Sequence, residues 1–181
     1  MKKFELTNEF VTNMFGTKLF RIRALVEFGD VEAGELGGYV EKESNLGHDD
    51  NAWVYDNAQV SGNARVYGNA WVYGDAQVSG DALVYGNARV CGDARVCGNG
   101  DYAYAHGFGS VNRTTTFFRL KDGGVGVRCG CFYGTLAQFR DKIRETHGET
   151  KKAQEYLMLA DLMELRFEED ENEVGNRKYV E

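Results

Sequence analysis

From Asn51 to Gly98 the chain repeats every six residues: NAWVYD, NAQVSG, NARVYG, NAWVYG, DAQVSG, DALVYG, NARVCG, DARVCG. Position 1 is Asn or Asp, position 2 is always Ala and position 4 is always Val. Position 6 is Gly in seven hexads and Asp in one. Ala and Val alternating with larger or polar residues is the period of a strand with one buried face. Gly followed by Asn or Asp supplies a corner, because Gly reaches positive φ without steric cost and Asx residues tolerate it. A strand and a corner in every hexad leave no room for hairpin arms. They fit a coil that winds about an axis and stacks on itself.

A second period lies over the first. Residues 51–68 and 69–86 agree at 14 of 18 positions, with Trp53 matching Trp71, Tyr55 matching Tyr73, Gln59 matching Gln77, Ser61 matching Ser79 and Tyr67 matching Tyr85. Three hexads therefore make one triangular turn, and each residue lies over its copy in the neighbouring turn, at a strand spacing of ~4.8 Å. The predicted fold class is mostly β, a triangular parallel β-helix with three hexads per coil. The valines from Val54 to Val96 fill the interior with the alanines beside them. Trp53, Tyr55, Trp71, Tyr73, Arg89 and Cys91 fall on the first outer face. Gln59, Ser61, Gln77, Ser79, Arg95 and Cys97 fall on the second, and Arg65, Tyr67, Leu83, Tyr85 and Asp101 on the third. The four stacked aromatics Trp53, Tyr55, Trp71 and Tyr73 predict an exposed apolar patch that reads as a subunit contact, and they are the candidate ligand- or partner-binding residues of this face. The alternative is that Trp and Tyr simply suit a β surface. Valine burial falls short of the backbone entropy of the ordered coil, and both open ends are sheet edges, so the rest of the chain should supply caps.

Residues 1–38 read as an N-terminal β cap. Lys3–Thr7 and the alternating Leu19–Phe28 are strand candidates around a turn at 13–17, and Gly37 and Gly38 carry the chain into the solenoid. The β-helix is assigned to 39–104. Val40 and Leu46 stand in phase with the alanines, so 39–50 reads as an imperfect first coil. The hexad then decays. A ββαα cap is assigned to 105–167: a Gly-rich connection over 105–111, strands at Thr114–Leu120 and Val125–Phe132 around Lys121-Asp122-Gly123-Gly124, and a helix opened by the capping box Thr135/Gln138. Gly148 ends that helix, and a second begins at Thr150 with Ala153, Tyr156, Leu157, Ala160 and Met163 on its apolar face. Residues 168–181 form an acidic tail.

The run LFRIRALVEFGDVEAGELGGYVEKESNL followed by HDDNAWVYDNA resembles bacterial and phage-encoded hexapeptide-repeat proteins described as putative transferases. The likeness spans roughly residues 1–98 and implies a left-handed coil and a homotrimer about a threefold axis. That fold serves acyltransferases, carbonic anhydrases and inert coils alike. Acyltransferases of this kind use an interfacial His as base, which the resemblance carries onto His48, beside Asp49 and Asp50, with a CoA thioester as substrate. Such enzymes usually place that His near a loop extruded from the coils, and the eight hexads contain none. Three His in neighbouring coils would make a zinc site, but His48, His106 and His147 are scattered, so no metal is assigned. Cys91, Cys97, Cys129 and Cys131 read as reduced packed thiols, with Cys129 and Cys131 sharing one strand face. Ser110, Asn112, Arg113 and the threonines after them, with Arg128, could hold an anion or nucleotide.

A net charge of −7 and a pI near 5.1 argue against general nucleic-acid or membrane-surface binding. No secretory signal or apolar span is read, so the cytoplasm is the expected compartment. The functional expectation is a non-enzymatic oligomeric binding protein without a cofactor. It would engage a protein or small ligand through the aromatic face or the C-terminal cap, in the manner of a phage protein sequestering a host factor. The alternative is CoA-dependent acyl transfer with His48 as base.

Overall fold

The computed structural model describes residues 2–109, 111 and 113–168. The N-terminal hairpin pairs β1 (Phe4–Thr12) with β2 (Lys18–Ala24) antiparallel. Asn13 closes its turn: the side-chain oxygen accepts from the amides of Phe15 and Thr17 at 3.0 and 2.9 Å. β2 stops at Ala24, short of the Phe28 expected from alternation, because the Leu25 amide turns to the Lys3 carbonyl and Phe28 pairs with Val31. β3 (Leu36–Val40) follows. Then come the coil strands β4 (Trp53–Val54), β5 (Gln59–Val60), β6 (Arg65–Val66), β7 (Trp71–Val72), β8 (Gln77–Val78), β9 (Leu83–Val84), β10 (Arg89–Val90) and β11 (Arg95–Val96).

The coil strands form three parallel faces. The first is β4-β7-β10 and the third is β6-β9. The second, β3-β5-β8-β11, continues through β3 into the hairpin as one six-stranded sheet. Trp53 lies opposite Trp71 and Trp71 opposite Arg89, so the three-hexad period is the physical register. All eight hexad valines and all eight alanines are fully buried. The corner glycines at 62, 68, 74, 80, 86 and 92 have φ between +60° and +70°. A Cβ at Gly68 or Gly74 would also lie 3.0 Å from the backbone nitrogen of the corner glycine in the next coil, so conformation and space both require Gly there. Asn51 donates to Asn69, Asn57 to Asp75 and Asn63 to Asp81, which turns the first position of the hexad into side-chain ladders at the corners.

The entry coil shows why the repeat departs from its rule. Val40 pairs with Val60 and Leu46 with Val66, so both stand in the valine layer and not, as the spacing suggested, in phase with the alanines. Two extra residues between Leu46 and Val54, in the stretch containing Gly47 to Asp50, shift the phase. Three carboxylates cap this edge: Glu41 accepts from the Gly62 amide at 2.6 Å, Asp50 from Gly68 at 2.6 Å and Asp56 from Gly74 at 3.1 Å. Asp56 adopts φ +52°, and among the described residues it is the one non-glycine residue with positive φ. The fully buried Asn45 donates to the carbonyls of Gly62 and Ala64 at 3.1 and 2.7 Å. Asn45→Ala strands both carbonyls and should cost about 2–3 kcal/mol in urea unfolding. A loss under about 0.5 kcal/mol would mean that water replaces the amide.

The far end is closed by β12 (Tyr102–Phe108), β13 (Arg113–Arg119), β14 (Val125–Cys129) and β15 (Phe132–Thr135), an antiparallel sheet in chain order. It starts at Tyr102, and β12 occupies most of the stretch expected to be connection. Alternation gives the sheet two apolar faces. Tyr102 and Phe118 join the core of the coil, while Phe117 and Val127 pack with α1 (Leu136–His147) and α2 (Lys151–Phe167). The sheet is thus a layer between solenoid and helices. Thr116 Oγ1 accepts from the Arg89 amide at 3.0 Å and Asn99 from the Leu83 amide at 2.8 Å, so these strand edges are satisfied. The Thr135–Gln138 capping box and the positive-φ Gly148 bound α1 as predicted. The acidic tail beyond Glu168 lies outside the described residues.

Candidate functional site

The first face of the prism is not a flat aromatic surface. Trp53 is fully buried, because the N-terminal cap covers it: Phe4 and Phe28 meet its ring edge-on at 6.2 and 5.3 Å. The expectation that Trp53 is an exposed binding residue is corrected on that ground. Tyr55, Trp71 and Tyr73 are half-buried. They line a cleft of about 360 Å³ with Asp30, Asp56, Arg89 and Arg128. The cap supplies Asp30 to this cleft, and the C-terminal sheet supplies Arg128. What remains of the aromatic stack is therefore recessed between two walls.

Arg89 continues the position held by Trp53 and Trp71, and its guanidinium stacks on Trp71 at 3.8 Å from the ring centre. Arg128 stands opposite Thr116 in the sheet register, on the face turned to the coil, and its guanidinium sits 5.8 Å from the Tyr73 ring centre. Among the described residues neither arginine has a carboxylate within salt-bridge distance. Arg128 donates one long bond, 3.5 Å, to the Cys131 carbonyl, and its Nε is buried without a hydrogen-bond partner. Two cations are thus held in place by aromatic faces, which orient a guanidinium without neutralising it. Tyr55 meets Trp71 edge-on at 5.3 Å. Its phenol is pushed up to about 12, by burial first and then by Glu35 and Asp30, while Arg89 pulls it down, so Tyr55 stands between the carboxylates and the cations. Burial, with Cys91 beside it, pushes the Tyr73 phenol up. Neither phenol ionises near neutral pH.

The other candidates fall elsewhere. His48 packs face to face on Phe4 at 4.4 Å, and its Nδ1 accepts from the Lys3 amide at 3.2 Å. That bond uses the lone pair a general base would need and leaves the proton on Nε2. Burial lowers the His48 pKa further, so it is a neutral packing residue of the entry coil. Arg113 is exposed at the start of β13 with its guanidinium against Gly130, and it does not line the cleft. Ser110 and Asn112 lie outside the described residues. His106 bonds Thr114 and His147 stacks on Tyr156, in separate places. Of the cysteines only Cys91 is buried, Cys97 and Cys131 being exposed, and Cys131 lies in the turn after β14 rather than on a strand face with Cys129. A second, larger and more enclosed trough of about 650 Å³ runs between the hairpin tip and the second face, lined by the Gln59/Gln77 and Ser61/Ser79 rows with Glu41 and Arg95.

Sequence reasoning found the aromatic half of the cleft and Arg128. It missed Asp30, Asp56 and the role of Arg89. Two of these carry a signal in the repeat itself: Arg89 breaks the Trp ladder, and Asp56 breaks the Gly rule. Asp30 has no such mark.

Parallel two-residue strands, three faces and a coil of three hexads define a β-solenoid protein. Residues 58–74 and 76–92 match the family model described as YdcK beta solenoid repeat, the two matches starting one coil apart. No curated protein matches the chain. Among the described residues no helix is long and apolar enough to cross a membrane.

Proposed function

We propose that this protein is a non-enzymatic binding protein, and that its ligand occupies the cleft formed by Tyr55, Trp71, Tyr73, Arg89 and Arg128. The observation that carries this reading is a guanidinium stacked on Trp71 and a second set near the Tyr73 ring, neither with a carboxylate partner among the described residues. A buried or half-buried arginine normally finds a carboxylate or a run of carbonyls, since leaving a cation unpaired is costly. An arginine oriented by a ring and left charged suits an anionic group from outside the chain. The aromatic neighbours add an apolar wall, and the cap and the sheet close the two ends, which is the mixed lining of small-molecule sites.

The cleft binds within one chain. The aromatic face read as a subunit contact has one ring buried and three set back between the cap and the sheet, which favours a ligand over a flat subunit contact there. Acyl transfer at His48 would need a free ring nitrogen, and that nitrogen is engaged by the Lys3 amide.

Native mass spectrometry of gently purified protein tests this reading. The wild-type chain should carry a defined extra mass that is lost in the Arg89→Gln/Arg128→Gln variant, with the fold unchanged by circular dichroism. An adduct of equal occupancy in both proteins would place the site elsewhere.

A further inference from the structure

We infer that the ligand of the cleft is a free mononucleotide with an amino-bearing base. This rests on the cleft being the ligand site, as proposed above, and adds the chemical class. Three features of the lining converge on it. The two unneutralised guanidiniums, Arg89 and Arg128, match a phosphate dianion, which forked guanidinium donors bind in pairs. The planar groups Tyr55, Trp71 and the Arg89 guanidinium match a heteroaromatic ring, since bases stack on aromatic side chains and on guanidinium planes alike. The carboxylates Asp30 and Asp56 match hydrogen-bond donors, and an exocyclic amine offers two N–H groups to such a pair where uracil offers only its ring N–H. Asp56 has one oxygen, Oδ2, committed to the Gly74 amide at 3.1 Å, and its other oxygen has no hydrogen-bond partner among the described residues.

Size and charge select the free nucleotide over a strand. A volume of about 360 Å³ lies at the small end of ligand pockets and fits one nucleotide unit. A chain of net charge −7 repels a polyanion, whereas a single phosphate needs only the Arg89/Arg128 part of the cleft, with Asp30 and Asp56 left to the base. A simple aliphatic phosphate would leave the aromatic wall unused, and an apolar aromatic would leave two cations unpaired.

The test is isothermal titration calorimetry of the full chain with AMP, CMP, UMP, adenosine, inorganic phosphate and a dT10 oligonucleotide. Trp71 fluorescence in a Trp53→Phe background gives a second readout. AMP or CMP should saturate the protein and change Trp71 emission. UMP, adenosine and phosphate should bind at least tenfold more weakly. Arg89→Gln and Arg128→Gln should each weaken AMP at least tenfold, and Asp30→Asn should erase the preference over UMP. Phosphate binding as tightly as AMP, or the oligonucleotide binding more tightly, overturns the inference. So does the absence of any nucleotide binding. If nucleotides fail while the native adduct is still lost in Arg89→Gln/Arg128→Gln, the cleft remains the site for another ligand class. If the arginine variants change neither readout, both readings fall.

Discussion

Replacing Gly38 by Ala should lower the unfolding free energy by about 3 kcal/mol or more. The reason is space, not backbone conformation. A Cβ at Gly38 would lie 2.6 Å from the Ala58 carbonyl oxygen, 2.8 Å from Val54 Cγ1 and 2.9 Å from the Tyr55 carbonyl oxygen. Two of the three are backbone atoms held in the coil and cannot swing away. Gly37 is placed alike, 2.5 Å from the Val54 carbonyl oxygen. The pair lets β3 lie against the first complete coil, and that approach seats the cap over Trp53. Gly38→Ala should therefore shift the urea midpoint sharply downward and redden Trp53 emission as its ring meets water. Gly98→Ala, where a Cβ meets nothing within 4 Å, is the control expected to stay within about 0.5 kcal/mol. Equal effects of the two would mean that the cap does not need this close approach.

The second large effect is a rise in stability above pH 8. Lys3 is 3% exposed, and its ammonium donates to the carbonyls of Asp50 and Ala52 at 2.7 and 2.8 Å. Burial drops its pKa from 10.5 to about 8, against the opposing pull of Asp50 and Asp49. Between those values the native chain has released the proton and the unfolded chain still holds it, so the unfolded state binds more protons and stability increases with pH. The full rise from pH 8 to 10.5 is on the order of 3 kcal/mol. The neutral amine can still donate to both carbonyls. The tyrosines act in the opposite sense. Tyr55, Tyr73, Tyr102 and Tyr133 have phenols raised by burial, and burial also raises the Cys91 thiol, so the unfolded chain loses these protons first and stability is drawn down from about pH 9 by Cys91 and from about pH 10 by the tyrosines. Stability should therefore climb from pH 8, level off between about pH 9 and 10 where Cys91 offsets Lys3, and decline beyond it. Urea unfolding at half-unit steps would read the curve. In Lys3→Met the climb should vanish while the decline persists, and a climb that survives the substitution would assign it to another group.

Both predictions concern the seam between cap and coil, where the sequence was least regular and the reading least complete. Within 51–98 the repeat left little open. A fixed Ala, a fixed Val and a Gly-Asx corner recurring through the hexads determine strand, interior and corner, because each coil is built from contacts with its own copy in the next. The C-terminal helices were legible for a local reason, since caps and an apolar stripe act within a few residues of themselves. The phase of Val40 and Leu46 was misread because two added residues shift every later position without leaving a mark of their own. β12 was missed because its residues serve as strand only once β13 lies beside them, with a register irregularity between Ala105 and Phe108.

The site divides along the same line. The sequence alone determined that Tyr55, Trp71, Tyr73 and Arg89 share one face at successive levels, since a repeat that stacks in register must align its own variable positions. It could not determine that Trp53, which holds the same hexad position as Trp71, would be buried, because the cover comes from Phe4 and Phe28 of the separate N-terminal cap. Nor could it bring Asp30 and Arg128, from opposite parts of the chain, to the two ends of one cleft. Only the tertiary structure decided that, because the docking of cap and sheet onto the coil depends on non-repeating, long-range packing: Gly37 and Gly38 at one end, Phe118 and Thr116 at the other.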